Sequence, residues 1–204
     1  MNLARLLQLA SPTLPVGAYS YSQGLEAAVE SGVVHDAPSA EAWIADALEF
    51  SLGRFEAPIL WRMMQGEALN DLFVAGRETA ELRAETLQMG HSLAKLVSEL
   101  GLGGVPLEEP AYPAAYAFAV QRLQLDPREA LVAYLWSWLE NQVMAAVKAV
   151  PLGQTAGQKI LLSLGGKLEA IADAAPSVSL SNFVPGLAML SSLHETQYSR
   201  LFRS

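Results

Sequence analysis

The sequence predicts an all-α protein: one helical bundle of about eight to ten helices, a single domain over residues 1–204. Three observations predict it. Apolar residues recur at intervals of three and four over long stretches, no alternating apolar and polar run is bounded by turn signals, and Ser, Asp, Pro and Gly fall where helices begin and end. With 204 residues, 51% of them apolar and 17% charged, the chain buries one sizeable core and keeps apolar area to hide, which favours association between subunits.

Taken in order, SPTLPVGAYSYSQGLE (11–26) opens with an extended, turn-rich path, because Pro12, Pro15 and Gly17 interrupt any helix. A helix is predicted from Ser22 to Ser31, stopped by Gly32, and another from Ser39, as its cap, to about Leu52 with Trp43, Ile44 and Leu48 on one side. Pro58 is expected to open the next, through Trp61 and Met64 to Gly66. From Thr79 to Leu100 the residues Leu82, Thr86, Met89, Leu93, Leu96 and Leu100 recur at steps of 4, 3, 4, 3 and 4, and Gly101 stops the helix. Asp126 caps a long helix with Pro127 at its first position, running through Leu131, Leu135, Trp138, Leu139, Val143 and Val147 to about Ala149. It is apolar on more than one face, so it belongs at the centre of the bundle or at an interface. After Pro151 a further helix starts near Gly153 and carries Ile160, Leu161, Leu164, Leu168 and Ile171 to Pro176.

Composition narrows the function. The net charge of −8 disfavours nucleic acid and anionic lipid and suits a partner with a basic face. There are no cysteines, hence no disulfide, thiolate metal site or cysteine nucleophile. The opening MNLARLLQLASPTLPVG is broken by Arg5 and Gln8 and is followed by no A-x-A site, so it does not read as a signal peptide, and a cytoplasmic chain is expected. No stretch of 18 apolar residues lacks charge, so no membrane span is expected.

The residues that would carry catalysis are thin. His35, His91 and His194 are far apart, with no spacing that sets two ligands on one helical face, and each is expected at the surface or in a cap. LGLGGVP follows a helix and has no lysine after it, so it reads as a helix stop, not a phosphate loop. Glu78, Glu81 and Glu85 read as a solvated stripe. The expectation is no enzyme, no catalytic residue, no metal site and no cofactor.

Three stretches are odd for plain packing. In the first, Pro12, Pro15, Gly17, Tyr19, Ser20 and Tyr21 form a candidate conformational loop; taken as structure alone, it packs over the bundle and Ser22 caps the next helix. In the second, AVKAVPLGQTAGQKIL (146–161), a Pro-Leu-Gly corner is followed by Gln154 and Gln158 one turn apart, with Lys148 near by. A corner needs Pro and Gly for its backbone but not two glutamines, so it is a candidate contact surface. The third is the end, SLHETQYSRLFRS (192–204), which carries Tyr198, Leu201 and Phe202 between Arg200 and Arg203. Burying those three side chains barely offsets the entropy of ordering the backbone. The tail is therefore expected to be loose alone and ordered by a partner with an acidic, preformed groove; the alternative is a last helix docked on its own domain.

At these stretches the chain resembles the UreF family of urease accessory proteins over essentially its whole length, through SPTLPVGAYSYSQGLE, RETAELRAETLQMGHSLAKL, VPLGQTAGQKIL and HETQYSRLFRS. The resemblance implies an all-α, dimeric adaptor without catalytic activity that joins UreD (also called UreH) to the GTPase UreG on apo-urease. Nickel is then delivered by the complex. It assigns Glu195, Thr196, Gln197, Tyr198, Ser199, Arg200, Leu201, Phe202 and Arg203, with Ser204, to the side facing UreD, and Lys148, Pro151, Gln154 and Gln158 to contacts with UreG or UreD. Ala156 stands where that family commonly has Asp, which removes a carboxylate from the corner. A second reading makes the protein a direct regulator of UreG's GTPase, activating it or coupling hydrolysis to correct assembly.

Overall fold

A computed structural model describes residues 2–204. Among the described residues eleven α-helical segments follow one another: α1 (Leu3–Ala10), α2 (Leu25–Glu30), α3 (Ala37–Asp46), α4 (Ala57–Met64), α5 (Asn70–Ala75), α6 (Ala80–Glu99), α7 (Tyr112–Arg122), α8 (Pro127–Ala149), α9 (Gln154–Gly165), α10 (Leu168–Ala174) and α11 (Pro185–His194). Because α3 and α4 are joined without a break, they make ten rods, and no strand occurs among the described residues.

The helices legible in the sequence are those whose ends are chemically marked. Thr79 accepts from the Leu82 amide at the start of α6, and Asp126 accepts from the Glu129 amide at the start of α8, with Pro127 at the first position. The helices without a predicted start, α1, α5, α7 and α11, all begin without a capping side chain.

Three boundaries differ from expectation. Asp36, not Ser39, caps α3; Ser39 is the reciprocal member of the capping box, and hydrogen bonds from it hold the Asp36 carboxyl below its ordinary pKa. Pro58 stands in the first turn of α4, as expected, but α4 is not a separate rod. It lies inside a continuous rod over 37–64, whose middle stretch, Ala47–Glu56, is wound as a wider π-helix. A proline inside a helix strips the carbonyl four residues earlier of its partner. That carbonyl belongs to Arg54, and it accepts the Ser181 amide at 3.0 Å instead. Finally, the helix read through to Ile171 is divided into α9 and α10 at Gly165 and Gly166.

The long helix α8 lies at the centre, as its many-sided apolar pattern requires. Ala130, Leu131, Leu135, Leu139, Val143 and Ala146 are fully buried, and α1, α2, α3, α4, α9 and α10 all pack on it. On another side α6 packs on α7, so closely at Gly90 that a Cβ there would stand 1.9 Å from the Pro110 carbonyl oxygen. The short α11 lies against α2 and carries the chain's end back to the loop before it.

Candidate functional site

The end of the chain lies in a groove built from the loop over 11–24, α2 and α6. Each wall supplies polar groups to it. From α2, Glu26 accepts the Leu201 amide at 2.7 Å and the Phe202 amide at 2.9 Å on its two carboxylate oxygens. From α6, Glu81 receives the Arg200 guanidinium at 2.7 Å, and Glu85 accepts the Ser204 hydroxyl at 2.9 Å. From the loop, the Ser20 carbonyl accepts the Arg203 amide at 2.8 Å, and the Ser22 amide donates to the Ser204 backbone oxygen at 2.7 Å.

The expectation of a tail loose on its own is thereby corrected: the acidic groove exists, and the same chain provides it. The alternative, docking on its own domain, is what the structure has. Only Phe202 among the three large side chains is buried, with the Lys148 ammonium 5.9 Å from its ring centre, while Tyr198 and Leu201 are fully and largely exposed. Backbone hydrogen bonds to a carboxylate, each charge-assisted, take the place of the missing apolar burial.

His194 is corrected as well. It is neither at the surface nor in a cap but has no exposure at all, its Nδ1 2.7 Å from Glu81 Oε2 and its Nε2 3.2 Å from Glu26 Oε2. Nor do the three glutamates form a solvated stripe. Glu78 is exposed, Glu81 half-buried and Glu85 buried. Burial pushes the Glu85 carboxyl up to about 7, against the lowering effect of hydrogen bonds from Gln23 and Ser204.

The loop and the tail, far apart in sequence, are thus brought together. Pro12, Pro15 and Gly17 shape the loop, with Gly17 at φ 80°, and Tyr19 points outward while Tyr21 is buried. The Tyr21 hydroxyl donates to Gln88 at 2.9 Å, which the Arg203 guanidinium also reaches at 3.3 Å. Ser22 does not cap α2 in the expected way: Gly24 precedes the helix, and the Ser22 hydroxyl donates to the Ser204 backbone oxygen while accepting the Glu26 amide at 3.3 Å. Gly24 has φ +79°, and a Cβ on it would stand 3.1 Å from the Ser191 backbone nitrogen, so only glycine lets α11 approach at this point.

Within the tail, Glu195 turns back to accept the Ala80 amide at 2.8 Å at the start of α6. Gln197 donates to the Ser199 carbonyl at 2.9 Å, and Thr196 and Ser199 are exposed. Of the corner residues, Lys148 reaches the tail through Phe202, but Pro151, Gln154 and Gln158 are exposed and take no part in the groove. The residues that sequence reasoning missed are Glu26, Glu81, Glu85, Gln88 and His194. Their one sequence signal is Glu81, Glu85 and Gln88 at steps of 4 and 3, a polar stripe beside the apolar one on the same helix.

Behind the groove is a cavity of about 360 Å³, lined among others by Glu56, Arg77, Glu85, Met89, Tyr112 and Tyr134. Two of its charged groups close on one another: Arg77 pairs with Glu56 at 2.6 Å, and the Tyr134 hydroxyl donates to the other Glu56 oxygen. Burial pushes the Tyr112 and Tyr134 hydroxyls up, so they stay protonated. Among the described residues no group of three or more His, Asp and Glu is arranged to hold a metal ion.

Fold and site together define an all-helical domain whose converging polar groups grip a peptide segment, its own, and present two large side chains outward. Comparison with known proteins gives the family. A model of the UreF family matches residues 34–165, and the whole chain aligns with proteins described as "Urease accessory protein UreF". One from Azoarcus sp. (strain BH72) is 55% identical over 100% of this chain and 96% of its own length. Those from Janthinobacterium sp. (strain Marseille) and Dechloromonas aromatica (strain RCB) are each 51% identical, over 99% and 100% of this chain and 98% of their own. The chain belongs to the UreF family. Its relatives are named as accessory proteins, not as enzymes, and no helix of the described residues is long and apolar enough to cross a membrane.

Proposed function

We propose that this chain is an adaptor in urease maturation, joining UreD/UreH to the GTPase UreG on apo-urease so that nickel is inserted. It works in the cytoplasm as a homodimer and does no chemistry of its own; nickel is the cargo of the complex, and no nickel site is assigned to this chain. The observation that carries the reading is the form of the tail. Phe202 and Ser204 are held inward while Tyr198 is fully exposed and Leu201 72% exposed, and Met189 and Leu193 on α11 are exposed as well. Large apolar side chains displayed on a polar, hydrogen-bonded support are what a protein-binding surface requires. At the corner, Gln154, Gln158 and Leu162 form an exposed row at steps of one turn on α9, with Leu162 83% exposed, and this row supports a second contact, to UreG or UreD.

The test is capture of UreD by the full chain and by a chain lacking residues 198–204, with the nickel content of urease measured in cells carrying each. The truncated chain keeps its helical circular dichroism, loses UreD and leaves urease without nickel. Capture and nickel content both unchanged would overturn the proposal.

A further inference from the structure

We propose that His194, Glu26 and Glu81 form a latch that sets the conformation of the chain's end, and that this latch positions the tail's outward side chains for a partner. The inference rests on the proposed role of the tail as the UreD-facing segment and adds the residues that hold it in shape.

The geometry begins at Glu26. One carboxylate takes two consecutive amides, Leu201 at 2.7 Å on Oε1 and Phe202 at 2.9 Å on Oε2. A planar carboxylate that receives neighbouring amides in this way fixes the orientation of the peptide between them. With that peptide fixed, Phe202 is 7% exposed and Leu201 72%. Which side chain faces the protein and which faces solvent is thus decided at Glu26 and not by the size of either side chain.

Glu26 needs a support of its own, and α11 supplies it. His194 Nε2 stands 3.2 Å from Glu26 Oε2, and Nδ1 stands 2.7 Å from Glu81 Oε2. The other Glu81 oxygen takes the Arg200 guanidinium at 2.7 Å. The contacts form one chain, from Arg200 through Glu81, His194 and Glu26 back to the amides of Leu201 and Phe202. A rigid ring with a nitrogen on each of two edges joins two carboxylates in fixed directions; no amide side chain does. His194 has no exposure and both carboxylates are largely buried. An apolar side chain would fill such a place without the cost of dehydrating charge, so the trio is accounted for by the conformation it specifies.

Amide hydrogen exchange in the full-length chain tests the latch without any partner. In Glu26→Gln and in His194→Gln the Leu201 and Phe202 amides exchange about tenfold faster or more, the loss expected for one charge-assisted hydrogen bond. Amides in the middle of α8 keep their rates, which a general loss of stability would not allow. Arg200→Gln, at the exposed outer end, serves where a buried change prevents folding, and it too accelerates both amides. Unchanged exchange at Leu201 and Phe202 in the variants that fold overturns the latch. Capture of UreD is then measured with the same variants. A fall that parallels the exchange supports latch and partner together; faster exchange with full capture overturns the positioning role, while the tail as the UreD-facing segment stands or falls separately, on capture by the chain lacking residues 198–204.

Discussion

The substitution Glu85→Gln isolates the one carboxyl of the groove whose ionisation the fold strongly opposes. Glu85 is 6% exposed, and burial moves its pKa from an ordinary 4.5 to about 7. Burial disfavours the ionised form, so the folded state keeps its full stability below 4.5 and loses it as pH rises toward 7, beyond which the loss is constant. At about 1.4 kcal/mol per pH unit the whole displacement amounts to about 3 kcal/mol. The amide in the variant carries no charge and removes this slope while keeping the contacts: its oxygen accepts from Gln23, 2.7 Å away in the native groove, and its nitrogen donates to the Ser204 hydroxyl. Urea unfolding followed by circular dichroism across this range gives the difference directly, because every other titrating group is common to both proteins. The variant gains on the native chain by about 3 kcal/mol between about pH 4 and pH 8. A difference that does not change with pH, or one that shifts in favour of the native chain as pH rises, refutes the reasoning.

Gly24→Ala places a methyl group against the Ser191 backbone at a φ of +79°, and costs at least about 1 kcal/mol with faster exchange along α11; an unchanged melting temperature contradicts the close packing of α11 on Gly24. Arg77→Ala leaves the buried Glu56 carboxylate without its partner at 2.6 Å and lowers the urea-derived stability by about 3–5 kcal/mol. Adding Glu56→Gln restores part of that loss by removing the uncompensated charge, and a double variant no more stable than the single one refutes the pairing as the cause. Removal of residues 198–204 abolishes UreD capture, read by co-purification, while the helical content stays.

The long helices were legible because their information is local. Five apolar residues and Thr86 at steps of 4 and 3 define α6, and Asp126 with Pro127 marks the start of α8 whatever surrounds them. The continuity of the rod over 37–64 was not, because Pro58 marks a helix start on local grounds, while the amide that the Arg54 carbonyl accepts comes from Ser181, over 120 residues later. The groove was half legible. Phe202 between two arginines declared that the tail would be received by something acidic, and Tyr21 and Ser20 marked the loop as unusual.

The helical class, the central helix and the oddity of the chain's end are legible in the sequence alone. All of these follow from spacing within one element or from counts of residue types. Only the tertiary structure decided that Glu26, Glu81, Glu85 and His194 belong to that end. A glutamate at helical spacing beside other glutamates has the same local pattern whether water or another segment covers it. The covering segment in this protein arrives from more than a hundred residues away, carried back by α11 across the glycine that lets it come close.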